Sequence, residues 1–236
     1  MSSGPESFEM STTNSVIFED WLEIPVGLRT LADFRRWALS DAFPEEGRID
    51  YIDGRIEVDM SPEDLFCHGT LKTELVRGLL TLVKASSSGY VFTDSTRVSS
   101  PAGQLSVEPD IVYMSKDSIT QGRATWVPKA SKKVGRFVEI EGAPDLVVEI
   151  ISDSSAGKDT KRLPNAYFAS GTQELWLLDA RQDEMLFELY IRGKSAFVQV
   201  KPDANGFRRS HVLAKSFRLD RRRDENSVWT FDLQVR

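Results

Sequence analysis

Residues 144–152 read PDLVVEIIS, five aliphatic side chains with one acid, Glu149, in their midst. The run is shorter than an average helix, lacks the alternation of a half-wet strand, and so predicts a strand buried on both faces. A lone ionised carboxylate in such a strand costs roughly several kcal/mol unless something compensates it. A second string, VEPDIVYM at 107–114, repeats the pattern and puts Asp110 beside another apolar strand. Pro-Asp also opens turns with the aspartate as an Asx cap, so the residues alone leave Asp110 as either cap or ligand. Asp145, in a second Pro-Asp, opens its strand and reads as structural.

Working outward, Thr30 precedes LADFRRWAL as a helix N-cap, with Leu31, Phe34, Trp37 and Ala38 on one face. Asp53-Gly54 lies between RIDYI and RIEVDM and signals a type I′ hairpin. Ser61-Pro62-Glu63-Asp64 predicts a helix start, running to about Lys84, with Leu71, Leu75, Leu79 and Leu82 as its apolar stripe. His68 lies in line with that stripe, and a core position is the expected one. Strands are expected in GYVFTDSTRVSS and LSVEPDIVYM, with Pro101-Ala102-Gly103 as the turn between them. The stretch 115–135, which carries Lys129, Lys132 and Lys133, reads as a short helix and then a long mobile loop.

After Ser152, a loop leads to a short helix with Pro164 in its first turn and Gly171 as its stop. ELWLLDA predicts another buried strand, EMLFELYIRG and SAFVQV a hairpin around Gly193-Lys194, and 212–236 edge strands. Glu57 is expected on a solvated face, and Trp176 and Tyr167 in the core. The sum is an α/β fold, a mixed central β-sheet flanked by helices. Residues 1–18 are expected to be a disordered polar tail and 19–236 a single domain.

The composition excludes several classes. Hydrophobic residues at 40% and charged residues at 28% argue for a globular chain rather than a disordered one. A net charge of −6 and a pI near 5.1 count against non-specific coating of nucleic acid, which needs clustered Lys and Arg. An acidic total is compatible with carboxylates gathered around a metal. No apolar run approaches the roughly 20 residues of a membrane span. The N-terminus lacks a secretory pattern and Cys67 is the single cysteine, so a reducing cytoplasm is the expected compartment.

Two carboxylates on neighbouring strands with a lysine nearby form a unit for phosphodiester hydrolysis with Mg²⁺ or Mn²⁺. Pro109-Asp110, Glu149 in DLVVEIIS, the Lys/Asp-rich turn, Tyr167, Gly171 and ELWLLD, together with IDGRIEVDMSPED and His68 upstream, resemble the Uma-type family. That family is similar to PD-(D/E)XK restriction endonucleases, and the resemblance covers roughly residues 30–179. It implies a restriction-endonuclease-like fold and a divalent-metal-dependent DNA endonuclease. Asp110 and Glu149 would be the metal ligands, with the backbone carbonyl of Ile150 as a third, DNA the partner and a homodimer the working form. The pattern departs at the lysine. The position two after the acid is Ile151, and the alternative position one turn before the tyrosine is Leu163. Lys158 and Lys161 are the lysines at hand, three apart and on one face if the stretch is α-helical, with Lys158 favoured. The missing lysine keeps a second expectation open, a catalytically degenerate nuclease-fold module that binds nucleic acid or regulates.

Overall fold

The computed structural model describes residues 15–18, 22–44, 47–129, 134–155 and 157–236. Its chain builds two six-stranded mixed sheets. The first contains β3 (Arg48–Ile52), β4 (Arg55–Asp59), β6 (Arg97–Ser100), β7 (Leu105–Val107), β9 (Ala124–Pro128) and β10 (Phe137–Gly142), in the order β4-β3-β7-β6-β10-β9. The second contains β5 (Gly89–Thr93), β8 (Ile111–Ser115), β11 (Leu146–Ile150), β12 (Glu174–Asp179), β13 (Leu186–Arg192) and β14 (Phe197–Gln199), in the order β14-β13-β12-β11-β8-β5. A short ribbon of β1 (Ser15–Phe18) and β2 (Leu22–Pro25) precedes them, and β15 (Arg208–Arg209), β16 (Ser216–Arg223) and β17 (Trp229–Val235) form a sheet of their own. The helices are α1 (Leu31–Ala38), α2 (Thr70–Ser86), α3 (Lys116–Thr120) and α4 (Leu163–Ser170).

Alternation along the strands assigns the layers. In β11, Leu146, Val148 and Ile150 face α2, whose Leu71, Leu75, Leu79 and Val83 join the same core as Trp176, Phe187 and Phe217. Val147 faces the other way, toward Leu163 and Tyr167 of α4 and Val98 and Leu105 of the first sheet. All five residues of β11 are buried, as a strand covered on both faces requires. A third core joins Leu31, Phe34 and Trp37 of α1 to Ile49 and Tyr51 of β3. The chain passes from second sheet to first between β5 and β6, and back between β7 and β8. Asp94 and Ser95, both at positive φ, turn the first crossing, and Asp110 stands in the second.

Several local signals take the expected form. Thr30 and Asp33 cap α1 reciprocally. Asp53 and Gly54, at φ 46° and 80°, close the β3–β4 hairpin in the left-handed region that a type I′ turn demands. Gly171, at φ 101°, ends α4.

Other expectations are corrected. Ser15–Phe18, assigned to the polar tail, pairs with β2, while residues 1–14 lie outside the described residues. The helix after the hairpin does not begin at Ser61. Asp64 caps a π turn, Leu65–Gly69, and α2 follows from Thr70, because the Asp64 carboxylate accepts the Phe66 and Cys67 amide hydrogens at 2.9 and 2.5 Å. The expected mobile loop contains β9, antiparallel to β10, and Lys132 and Lys133 lie outside the described residues. The last strands form a separate sheet instead of extending the central one, because Phe217, Leu219 and Leu233 bury against α2. The Leu233 amide donates to Glu74 Oε1 at 2.8 Å, and Glu174 accepts the His211 and Val212 amides at 2.9 and 3.2 Å, fixing that sheet in place.

Phe217 is fully buried with its ring 4.8 Å from that of Trp176. Phe217→Ala is expected to destabilise the protein by about 3–5 kcal/mol, through lost transfer free energy and a cavity, measured by urea denaturation.

Candidate active site

The sheets' crossing points bring charged side chains into a layer that is otherwise dry. Asp110, fully buried, accepts the Ile150 amide hydrogen on Oδ2 at 2.7 Å. Its Oδ1 accepts Arg48 Nη2 at 2.9 Å, with His68 Nε2 and Lys72 Nζ at 3.5 and 3.6 Å. Glu149, also buried, accepts a hydrogen bond from the Tyr167 hydroxyl of α4. Lys158 Nζ donates to Asp50 Oδ2 at 2.9 Å, and Asp50 Oδ1 in turn accepts the Glu108 amide at 3.1 Å. Beside Lys158, Asp159 accepts the Ser155 hydroxyl on Oδ2, while its buried Oδ1 has no hydrogen-bond partner among the described residues.

Of the residues singled out from the sequence, Asp110, Glu149, Ile150 and Lys158 are all buried at the junction of the two sheets. Lys161 is exposed. The physical reason is the form of the turn. Residues 158–162 make a π turn, in which the Leu163 amide reaches the Lys158 carbonyl, and positions three apart do not stack on this wider turn as they do on an α-helix. Ile151 and Leu163, the two positions where a lysine is missing, are buried and apolar.

One reading changes and two gain a polar partner. His68 is buried, but both ring nitrogens face carboxylates, with Nδ1 3.1 Å from Glu63 Oε2. Glu57 is ion-paired to Arg162 rather than left to solvent. Tyr167 is in the core, yet its hydroxyl serves Glu149. Asp145 keeps its structural role, accepting the Ser115 amide and the Ser118 hydroxyl, each at 2.7 Å. Sequence reasoning missed Arg48, Asp50, Lys72 and Asp159. Asp50 carries the same signal as Glu149, an acid within an apolar strand, and Lys72 follows His68 by four residues on one helical face.

The electrostatics divide the acids. Burial opposes ionisation of Asp110, but the facing His68 imidazole and the charges of Arg48 and Lys72 hold its carboxyl below the usual range. Burial pushes Glu149 well up, and the nearby Asp159 and Asp110 carboxylates push the same way. Burial also pushes Asp159 up to about 6, against the opposing charge of Lys158. This half of the layer thus holds more buried acid than its cations neutralise, and one carboxylate oxygen is unpartnered. Such a donor set fits a hard divalent cation, which takes carboxylate and carbonyl oxygens. Two adjoining clefts open onto the layer. One, of about 630 Å³, is lined by Arg48, Glu63, His68 and Asp94, and the other, of about 530 Å³, by Asp50, Lys158 and Arg162.

The native state retains a proton on Asp159 that the unfolded chain loses near its ordinary value of 3.8. Stability of the metal-free protein is therefore expected to fall as pH rises from about 4 through about 6. Asp159→Asn is expected to make that decline shallower, read as the urea midpoint across the same pH range in EDTA. An unchanged slope would count against a protonated Asp159.

No curated protein matches the chain. A solved structure described as "a putative nuclease belonging to DUF820 from Anabaena variabilis" is similar to it, with 21% identity and a TM-score of 0.53, over 78% of this chain and 90% of that one. At that identity the likeness speaks for the fold. The profile of the Uma2 family, described as "Putative restriction endonuclease", matches residues 31–222. By that match, which spans both large sheets and every residue of the charged layer, the chain belongs to the Uma2 family.

Proposed function

We propose that the protein is a divalent-metal-dependent DNA endonuclease that hydrolyses phosphodiester bonds with Mg²⁺ or Mn²⁺. The observation that carries this reading is the burial of Asp110 and Glu149 beside each other at the ends of adjacent strands, with the Asp159 carboxylate close to Glu149. Asp110, Glu149 and the Ile150 carbonyl would hold the metal. When bound, the ion would polarise the scissile phosphate and activate water. The protein's own groups would do the positioning. Ile150 N–H and Arg48 fix the two Asp110 oxygens, and the Tyr167 hydroxyl orients Glu149. Lys158, held by Asp50 and lining the cleft, would supply positive charge toward a phosphoryl oxygen. Lys161, exposed, has no role in this scheme. DNA is the proposed partner, a homodimer the proposed working form and the cytoplasm the proposed compartment. No helix among the described residues is long and apolar enough to cross a membrane.

A second reading has its own observation. Asp110 is already faced by Arg48, His68 and Lys72, and a lysine is missing at both Ile151 and Leu163. A nuclease fold that binds nucleic acid or regulates without cutting fits those facts. The two readings differ in their response to metal. A ligand at a hundredfold excess over its Kd stabilises a folded protein by about 2.7 kcal/mol. Wild type with Mn²⁺ is expected to melt higher than with EDTA and to nick supercoiled DNA. Asp110→Asn is expected to lose both responses. No cleavage of supercoiled, linear or single-stranded DNA, with no metal-induced rise in the melt, would favour the binding module.

A further inference from the structure

We propose that Glu63 and His68 Nδ1 form a cation site at the mouth of the larger cleft, with Asp110 facing the other ring nitrogen and orienting the imidazole, and that this site prefers first-row transition-metal ions to Mg²⁺. The inference rests on the reading of Asp110 as part of a metal centre and adds two residues from the segment that precedes α2. One ligand atom from each of the three lies within 4.8 Å of the other two. The 3.1 Å between His68 Nδ1 and Glu63 Oε2 suits two ligands on one ion, since donors about 2.1 Å from a metal lie about 3.0 Å apart at right angles and about 3.4 Å apart at the tetrahedral angle. The hydrogen-bond geometry between them is not met: Nδ1 is buried in a residue only 4% exposed and has no hydrogen-bond partner among the described residues. A buried imidazole nitrogen left in that state is costly unless a ligand takes it. Glu63, by contrast, is exposed and lines the cleft together with His68, so an ion has a route from solvent.

The donor types decide the preference. Mg²⁺ requires an octahedron of oxygens and keeps much of its water, whereas imidazole suits later first-row ions. A site that joins an imidazole to a carboxylate therefore favours ions such as Co²⁺ or Zn²⁺. A resident cation competes for the same oxygens. Lys72 Nζ donates to both Glu63 oxygens at 2.8 and 3.0 Å and to Asp94 Oδ1 at 2.6 Å, and stands 3.6 Å from Asp110 Oδ1. A metal at this position would shift the ammonium toward Asp94, so removing Lys72 tightens binding.

The test titrates the metal-free full chain with Co²⁺, followed by visible absorbance, and with Mg²⁺ by calorimetry. Glu63→Gln, at a solvent-exposed side chain, is the first variant and His68→Gln the second, each checked by a melt in EDTA. Both are expected to weaken Co²⁺ binding at least tenfold and Mg²⁺ binding far less, while Lys72→Met strengthens Co²⁺ binding several-fold. Wild-type Co²⁺ affinity in both Glu63→Gln and His68→Gln would overturn the proposal, as would Co²⁺ binding no tighter than Mg²⁺. The nuclease reading is judged separately. Co²⁺ binding that is lost with His68→Gln in a protein that cuts no DNA would sink that reading and keep this site. Cleavage with Mg²⁺, lost in Asp110→Asn, alongside Co²⁺ affinity indifferent to His68 and Glu63, would do the reverse.

Discussion

Charges that have left water must find partners nearby, and the placement of the two sheets follows from how this chain meets that demand. Asp110 joins the end of β11 through the Ile150 amide and joins β3 of the other sheet through Arg48. Asp50, on the same strand as Arg48, receives Lys158 from the segment that leads into α4. These bonds cross between sheets that otherwise meet through apolar side chains, which fill space without fixing a register. Breaking a buried pair by deleting one partner costs about 3–5 kcal/mol, because the remaining charge is stranded. The polar layer thus sets how the sheets sit, and the same bonds set where the candidate ligands point.

The layer is uneven. On one side Asp110 is met by Arg48, Lys72 and the His68 imidazole, and on the other Glu149 and Asp159 share the charge of Lys158 and Arg48. Acids whose environments push their ionisation apart are a recurrent mark of reactive sites. The asymmetry here arises from ordinary packing choices. Asp110 Oδ1 faces the segment that leads into α2 and Arg48 of β3, while Glu149 lies deep against α4, where the nearest donor is a neutral phenol.

Much of this was legible in the sequence because it is local. The β3–β4 hairpin follows from Asp53-Gly54, α1 from Thr30 and Asp33, and the end of α4 from Gly171, each decided within a few residues. The doubly covered strand and its odd acid were visible in PDLVVEIIS. What remained hidden depends on distance along the chain. Arg48 and Asp110 are 62 residues apart and Lys158 and Asp50 are 108, and no local pattern says which strands will share a boundary. His68 shows the limit from another side. Its place on the α2 stripe reads the same for a packed core ring as for one that ends against a carboxylate. β9 escaped because its alternation is irregular, and the bulge between Phe137 and Glu139 on its partner β10 shows the same irregularity in space.

The separate sheet of β15–β17 has a bearing on the order in which the molecule takes shape. The bond from Leu233 to Glu74 spans 159 residues, and the apolar face of α2 is shared between the second sheet and this late segment. Closing so long a loop is entropically slow, and a chain made from its N-terminus presents α2 long before it presents β17. The π turn and helix that carry His68 and Lys72 toward Asp110 therefore gain their outer cover late. Full backing for the charged layer thus waits on a segment 159 residues downstream of Glu74.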